Sequence, residues 1–452
     1  MPPFRIVIVG GGIAGFTAAI ALRGPNRQIT VLEQSRLNKE IGALISLQPN
    51  ASRIVETTWG LKKELAAARE IVDEGFRVYN TDGVLVNSLP LLTKTEYGAE
   101  RLCFHRRDLH DQFKEAAISP DREGEPVTVR VASRVVDCSP LDGTVTLEGG
   151  EVVTGDLIIA ADGIHSVIRK HVLEEEPSPL PTGHSGESSK IFHLPRKGRN
   201  MHLRNVLAYR LMIPSETLEK EEPDFCSKIN PREPFTSMMV AQNCRLIMGP
   251  GRQGEVYGIT ALVPDEQMNE DPGAKQSWVS EGDLNKMLET FSEFPTWVTS
   301  VFKYDSIFSI ISLQSLIVSR HSADLGLWQL RDLDPLKKWH RGRVIIIGDA
   351  AHAMLPTQGQ GASQAIEDAE ALGAFFEGIS EAPSAEALSE ILENIFQARY
   401  ARVSLVQAYS REAAKPAAAK KTVTLRPDEF MKFNCLYRGA KAWSNEQIPV
   451  SA

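Results

Sequence analysis

"FRIVIVGGGIAGFTAAIAL", Phe4 to Leu22, opens with an apolar run that reads as a buried parallel strand. Three glycines follow, then an apolar helical pattern through Leu22. Gly10, Gly12 and Gly15 stand in the G-x-G-x-x-G order, with Ile13 and Ala14 between the second and third. In this strand–turn–helix setting each glycine has a separate task. Gly10 permits the tight turn, Gly12 lets backbone approach a pyrophosphate, and Gly15 lets helix and strand pack closely. The helix N-terminus offers N–H groups and positive potential to phosphates. A second strand, Gln28 to Leu32, ends at Glu33, where an acid about 20 residues past the glycines should hold a ribose hydroxyl. The pattern predicts an adenine-dinucleotide site, against an ordinary glycine-rich turn as the plain alternative.

Two further stretches have the same strand-then-loop character. "GDLIIAADGIHSVIR" (155–169) is a buried strand ending at Asp162-Gly163. "RVIIIGDAAHAMLPTQGQGASQAIEDAEAL" (343–372) is another, ending at Gly348-Asp349 and running through Pro356, Gly359 and Gly361 into a helix. His352 reads as a packed or hydrogen-bonded imidazole in preference to a base. The middle of the chain has a strand-like period, in "AYRLMI" (208–213), "RLIMG" (245–249) and "VYGITALV" (256–263). No second glycine fingerprint is found; "MGPGRQG" (248–254) lacks the strand–helix context.

The bulk numbers set outer limits. At 452 residues the chain is long enough for two or more units. A formal net charge of -8 disfavours a nucleic-acid partner, which would need a basic face. Cys103, Cys138, Cys226, Cys244 and Cys435 form no CxxC pair and no metal-ligand spacing, so no metal is expected and a reducing, cytoplasmic compartment is. The N-terminus does not read as a signal peptide, and no stretch reaches the length of a membrane span.

Together these pieces resemble the single-component FAD-dependent aromatic hydroxylases of the para-hydroxybenzoate and salicylate hydroxylase type, in their secondary-metabolite branch. GGGIAG (10–15), DG (162–163) and GD (348–349) occur in the family's order. "PNA" (49–51), "HRRDL" (105–109) and "DEFMKFNCLYRGAKAW" (428–443) also match. The resemblance implies an α/β fold: a Rossmann-like FAD-binding domain, an interleaved antiparallel substrate sheet and a C-terminal helical segment. The divisions expected are 1–174 and 336–410 for FAD binding, with minor substrate-domain excursions in the first. Residues 175–335 would form the substrate sheet and 411–452 a C-terminal extension.

By position, the resemblance implies that Glu33 holds the adenosine ribose and Arg106 contacts the ribityl–phosphate region. Asp162 would support FAD beside the nicotinamide path, and Asp349 would accept from a ribityl hydroxyl. Pro356 would stiffen the loop over the flavin, and Gly359, Gly361 and Ala362 would present backbone to the ring. The helix dipole beginning near Gly361 would stabilise negative charge on reduced flavin. Tyr209 and Arg210 are the substrate-side candidates, the arginine for a phenolate, carboxylate or carbonyl. The activity implied is hydroxylation of an aromatic or other electron-rich small molecule. It would use non-covalent FAD, NAD(P)H as transient co-substrate and O2, through a flavin C4a-hydroperoxide, in a monomer or homodimer. Two alternatives stay open: an FAD-binding reductase or impaired family member, and an epoxidase of an indole or alkene.

Two blocks depart from the family pattern. "GESSKIFHLPRKGRNMHLRNVL" (186–207) separates Thr182-Gly183-His184-Ser185 from Ala208-Tyr209-Arg210, and "YDSIFSIISLQSLIVSRHS" (304–322) precedes "ADLGLWQL". They read either as loops, one a lid, or as translated intron sequence. Codons for Gly-Glu-Ser permit a donor site, and removing 186–207 restores a continuous Ser-Ala-Tyr-Arg.

Overall fold

The computed structural model describes residues 2–36, 43–174, 180–181, 206–241, 244–264, 279–281, 284–304, 326–415 and 425–443. A six-stranded sheet is built around Phe4–Val9, which pairs in parallel with Arg27–Leu32 on one side and Leu157–Ala160 on the other. Val344–Ile346 extends the parallel order beyond Leu157–Ala160, and Thr128–Arg130 beyond Arg27–Leu32. The short His340–Arg341 strand closes one edge antiparallel. Both faces are buried, which is why these strands read as unbroken apolar runs. Ile6, Ile8, Leu157 and Ile159 point into one apolar cluster, shared with the helices Ile13–Leu22, Arg106–Ile118 and Gly361–Phe375. Val7, Val9, Ile158 and Ala160 point into another, closed by Trp339, Phe396 and Val403.

The second large sheet runs in the order 180–181, 326–332, 206–214, 256–264, 245–251, 235–240, 75–79, 85–90. Its last two strands come from the N-terminal part of the chain, so the two units are interleaved. The sheet is antiparallel except at one joint, where Phe235–Val240 runs parallel to Gly75–Tyr79. A hairpin cannot make that joint; it forms because the two strands arrive from distant parts of the sequence. Along Val206–Pro214 the side chains alternate. Tyr209, Leu211 and Ile213 enter an apolar cluster with Phe225, Met287, Phe291 and Phe302. The intervening positions, Arg210 and Met212, lie on the face turned toward the FAD-type unit. There Leu44 reaches across to Gly258, where a Cβ would stand 2.5 Å from its Cγ. Gly249 and Gly251 of "MGPGRQG" thus belong to a strand, Arg245–Gly251, beside this junction, and Gly254 ends the 3-10 turn that follows it.

The Ala385–Ala414 helix is 30 residues long and is started by Ser384, whose hydroxyl accepts from Ala387 N–H. It ends one residue short of the Lys415-Pro416 step, where proline cannot continue the ladder. Helices Pro427–Cys435 and Ala440–Trp443 fold back against it. The two divergent blocks lie outside the described residues apart from their ends. Val206 and Leu207 begin the nine-residue strand, and the Tyr304 hydroxyl donates to Glu222 at 2.9 Å.

Candidate active site

Phe4–Val9, Leu157–Ala160 and Val344–Ile346 are parallel neighbours, so their carboxyl ends lie on one edge of the sheet, where open α/β sheets bind ligands. The three motif loops leave from that edge. Ladder bonds carry each strand into its loop: Gly10 N–H to Leu32 O at 2.8 Å, Ala161 N–H to Val9 O at 2.8 Å, and Ile347 N–H to Ala160 O at 3.0 Å. Gly10 has φ +103°, and a Cβ there would stand 2.3 Å from Ala161 O. At Gly15 a Cβ would meet Gly10 O at 1.9 Å. At Gly348, φ +58°, it would meet Ala14 Cβ at 2.9 Å. The glycines allow the loops to touch one another.

Arg169 locks two of the loops together. Its guanidinium is buried and donates to Ile164 O (2.9 Å) and Gly163 O (3.2 Å) of one loop, and to Ala350 O (2.6 Å) and Asp349 O (3.1 Å) of the other. Burial pushes its pKa down to about 10, so it stays cationic at neutral pH. Asp162 accepts at Oδ2 from Val167 N–H (2.9 Å) and Ile168 N–H (3.3 Å). Burial pushes its carboxyl up, opposed by Ser166, the Ile168 amide and Arg169. Glu33 is tied to the glycine loop: Oε2 accepts from Gly11 N–H and Oε1 from Ser35 N–H, both at 2.7 Å. His110, two residues past the Arg106–Asp108 part of the motif, bonds Gly11 O through Nε2 at 2.6 Å and packs edge-on against Phe16.

Asp349 is exposed to solvent yet densely surrounded by protein, as on the floor of a cleft. Its carboxyl is pushed up by burial and drawn back by His352, Arg106 and Arg169. Arg106 begins its helix, with its N–H on Ala43 O at 2.8 Å. Its charge also reaches Arg210 across the cleft. Burial first, then Arg106, brings Arg210 down to about 10. Arg106 thus bears electrostatically on both Asp349 and Arg210. Tyr209 does not join them. It is fully buried on the opposite face of its strand, edge-on to Phe291 at 6.4 Å. Adjacent strand residues point to opposite faces, so of the expected pair only Arg210 faces the cleft, and Tyr209 is a core residue.

Pro356 opens a single 3-10 turn, and Gly359, φ +61°, ends it against Gln48 and Ser46. Gly361 and Ala362 begin the following helix, whose first N–H groups lack partners within the helix by geometry. Asn50 of the PNA segment donates to Glu367 (2.6 Å) and Gln360 (3.2 Å), and Gln48 N–H donates to Ser363 (3.1 Å). His352 is the packed imidazole expected, on Asp368 at 2.6 Å and against Trp339.

Three features suit these loops to a flavin dinucleotide. A Cβ at Gly12 or Gly361 would find no atom within 4 Å, so both backbones face open space. Among the described residues, the Oδ1 atom of Asp162 is buried with no hydrogen-bond partner. Glu33, Asp162 and Asp349 each stand just after a parallel strand of this edge, where sugar hydroxyls of a dinucleotide would need acceptors. Among the described residues no His/Cys/Asp/Glu cluster has the form of a metal site, and no helix is long and apolar enough to cross a membrane.

A family model described as an FAD binding domain matches residues 319–407, which hold the Gly348-Asp349 motif. The FAD-dependent monooxygenase phomE' of Diaporthe leptostromiformis is 30% identical over 370 residues, 81% of this chain and 82% of its own. The chain belongs to the FAD-dependent monooxygenases. Hispidin-3-hydroxylase of Neonothopanus nambi is 26% identical to this monooxygenase over 417 residues, 90% of this chain and 87% of that one. Among solved structures, a salicylate hydroxylase substrate complex superposes with a TM-score of 0.70 at 24% identity, covering 98% of this chain and 97% of the other. That likeness extends the agreement in fold to nearly the whole monooxygenase, and FAD is its cofactor.

Proposed function

We propose that this monooxygenase hydroxylates a small aromatic or other electron-rich molecule, with non-covalent FAD, NAD(P)H as transient reductant and O2 as the oxygen source. What supports this reading is that the three motif loops leave one edge of the parallel sheet, and that Arg106 bears electrostatically on both Asp349 at that edge and Arg210 of the second sheet. Glu33 keeps lone pairs beyond its two amide contacts and would take the adenosine ribose. Gly12 and the first turn of the Ile13–Leu22 helix would take the pyrophosphate. Asp162 Oδ1 and Arg106 would line the path beyond it, and Asp349 would accept from the ribityl chain. Gly359, Gly361 and Ala362 would lie along the ring, with Pro356 stiffening their loop.

Bound flavin supplies the redox chemistry, taking a hydride and activating oxygen for transfer of one atom. The protein's share is to bind, orient and exclude water. Arg210 stays protonated at neutral pH, and its strand fixes it on the cleft face. It would hold an anionic or carbonyl oxygen of the substrate, aiming the ring toward the flavin. The apolar neighbours Met212 and Leu44 would keep that face dry. Fungal relatives such as cfoG of Aspergillus candidus support a place in secondary metabolism. The five free cysteines suit a reducing compartment such as the cytoplasm.

The test is substrate-stimulated NAD(P)H oxidation across a panel of phenols, aromatic acids and indoles, with products read by mass spectrometry. A product heavier by one oxygen supports the reading. Oxidation with no oxygenated product from any panel member would point to a reductase instead. Arg210→Ala should raise KM or uncoupled peroxide about tenfold while leaving FAD content unchanged. Wild-type behaviour would move the substrate role elsewhere on the sheet.

A further inference from the structure

We propose that Asp368 is the positioning residue for Asp349, holding both ends of the turn that carries it. Asp368 lies on the Gly361–Phe375 helix and is fully buried. Its Oδ2 accepts from Gly348 N–H at 2.9 Å and from His352 Nε2–H at 2.6 Å. A carboxylate partner places the imidazole proton on Nε2. Gly348 and His352 are the two ends of the single turn Asp349–His352, whose backbone is closed by Ala351 N–H and His352 N–H on Gly348 O, both at 2.9 Å. One oxygen of Asp368 therefore spans the turn from outside.

Asp368 is itself held. Arg399 donates Nε to its Oδ1 at 2.9 Å, and the remaining guanidinium nitrogens go to Glu367 and to Gln364. Arg399 is fully buried, so this arrangement has little freedom to drift. Gly348 adopts φ +58°, ψ -141°, a conformation that its anchored N–H helps to select. Among the described residues Asp368 makes no hydrogen bond with Asp349, whose side chain faces the cleft. The influence passes through the backbone of the turn and through the His352 imidazole that Asp368 holds beside Asp349. This inference rests on the reading of Asp349 as a flavin ligand, and the experiment separates the two.

A double-mutant cycle on FAD affinity does so. FAD dissociation constants are measured by flavin fluorescence for wild type, Asp349→Ala, Asp368→Asn and the double variant. Asp368→Asn keeps the shape, but its one carbonyl oxygen cannot serve Gly348 and His352 on one side and Arg399 Nε–H on the other, and it carries no charge. It should weaken FAD about tenfold in the wild-type background and less than about twofold in the Asp349→Ala background. Equal losses in both backgrounds would overturn the proposal, since Asp368 would then act on the fold generally. Unchanged affinity in Asp349→Ala alone would reject the ligand reading, and the proposal with it. Where Asp368→Asn fails to fold, His352→Phe serves. It keeps a ring against Trp339, 5.2 Å away in the wild type, and removes one donor. Its effect should likewise vanish when Asp349 is absent; persistence at full size would contradict the clamp.

Discussion

Gly12 and Gly15 sit three residues apart and should respond oppositely to the same substitution. Alanine in a helix interior ordinarily gains about 1 kcal/mol over glycine. At Gly15 its Cβ would lie 1.9 Å from Gly10 O, a backbone atom that cannot swing aside. Gly15→Ala should cost about 2 kcal/mol or more in thermal unfolding of the apoprotein. Gly12 has φ -80°, ψ -172° and open space around it, so Gly12→Ala should leave the apoprotein's unfolding unchanged and weaken FAD binding. The opposite pattern would mean the loop faces another way. Arg169 makes a second residue-scale prediction. Arg169→Ala strips buried hydrogen bonds from four carbonyls on two loops, and should cost about 3 kcal/mol with loss of FAD retention. Arg169→Lys should recover part of the stability, because an ammonium reaches fewer of the four; a neutral alanine variant would remove the clamp from the account. The glycines were legible because their reasons lie within one short stretch. Arg169 stands in the quoted 155–169 stretch, yet nothing local says that its partners include Asp349 and Ala350. Tyr209 was misplaced because a motif match ignored the alternation of its own strand.

The helices Gly361–Phe375 and Ala385–Ala414 meet through buried charge. Glu367 and Asp368 face Arg399 and Arg402, whose guanidinium is also enclosed by Phe433, Tyr437 and Trp443 at 4.6–4.9 Å. Burial alone would push both carboxyls up. The arginines, with His352 for Asp368 and Asn50 for Glu367, outweigh it and hold both below the ordinary range. A depressed folded-state pKa means that the stabilisation is complete above the unfolded value of about 4 and disappears as pH falls through the lower folded value. Wild-type melting temperature should therefore drop steeply below about pH 4, and Asp368→Asn should flatten that drop while lowering the plateau near neutrality. Parallel curves for the two proteins would show that Asp368 does not titrate as described. These partners were not legible in the sequence. Glu367-Asp368 and Arg399 are about thirty residues apart, and a charged pair on an otherwise apolar helix face reads first as solvated. The Gly361–Phe375 helix and the loop before it were read directly from glycine, proline and apolar spacing.

At the scale of the whole molecule, function depends on two sheets meeting at a fixed separation. Leu44 sets part of it by filling the space beside Gly258, so Gly258→Val should wedge the units apart. The expected result is normal FAD content with NAD(P)H oxidation diverted to hydrogen peroxide, read by peroxide assay against product; unchanged coupling would show that this contact does not seal the cleft. The interleaving was only partly legible. Three ordered motifs identified the FAD-binding sheet and the strand period marked the middle segment, but the parallel joint between Phe235–Val240 and Gly75–Tyr79 leaves no local trace. The central claim is that these sheets enclose a site where one atom of dioxygen reaches an aromatic or electron-rich substrate. Turnover under 18O2, with a substrate that stimulates NAD(P)H oxidation, measures it directly. The account predicts product carrying one 18O atom and none from labelled water. Product whose new oxygen comes from water, or NAD(P)H oxidation that yields only peroxide across all substrates tested, would contradict it.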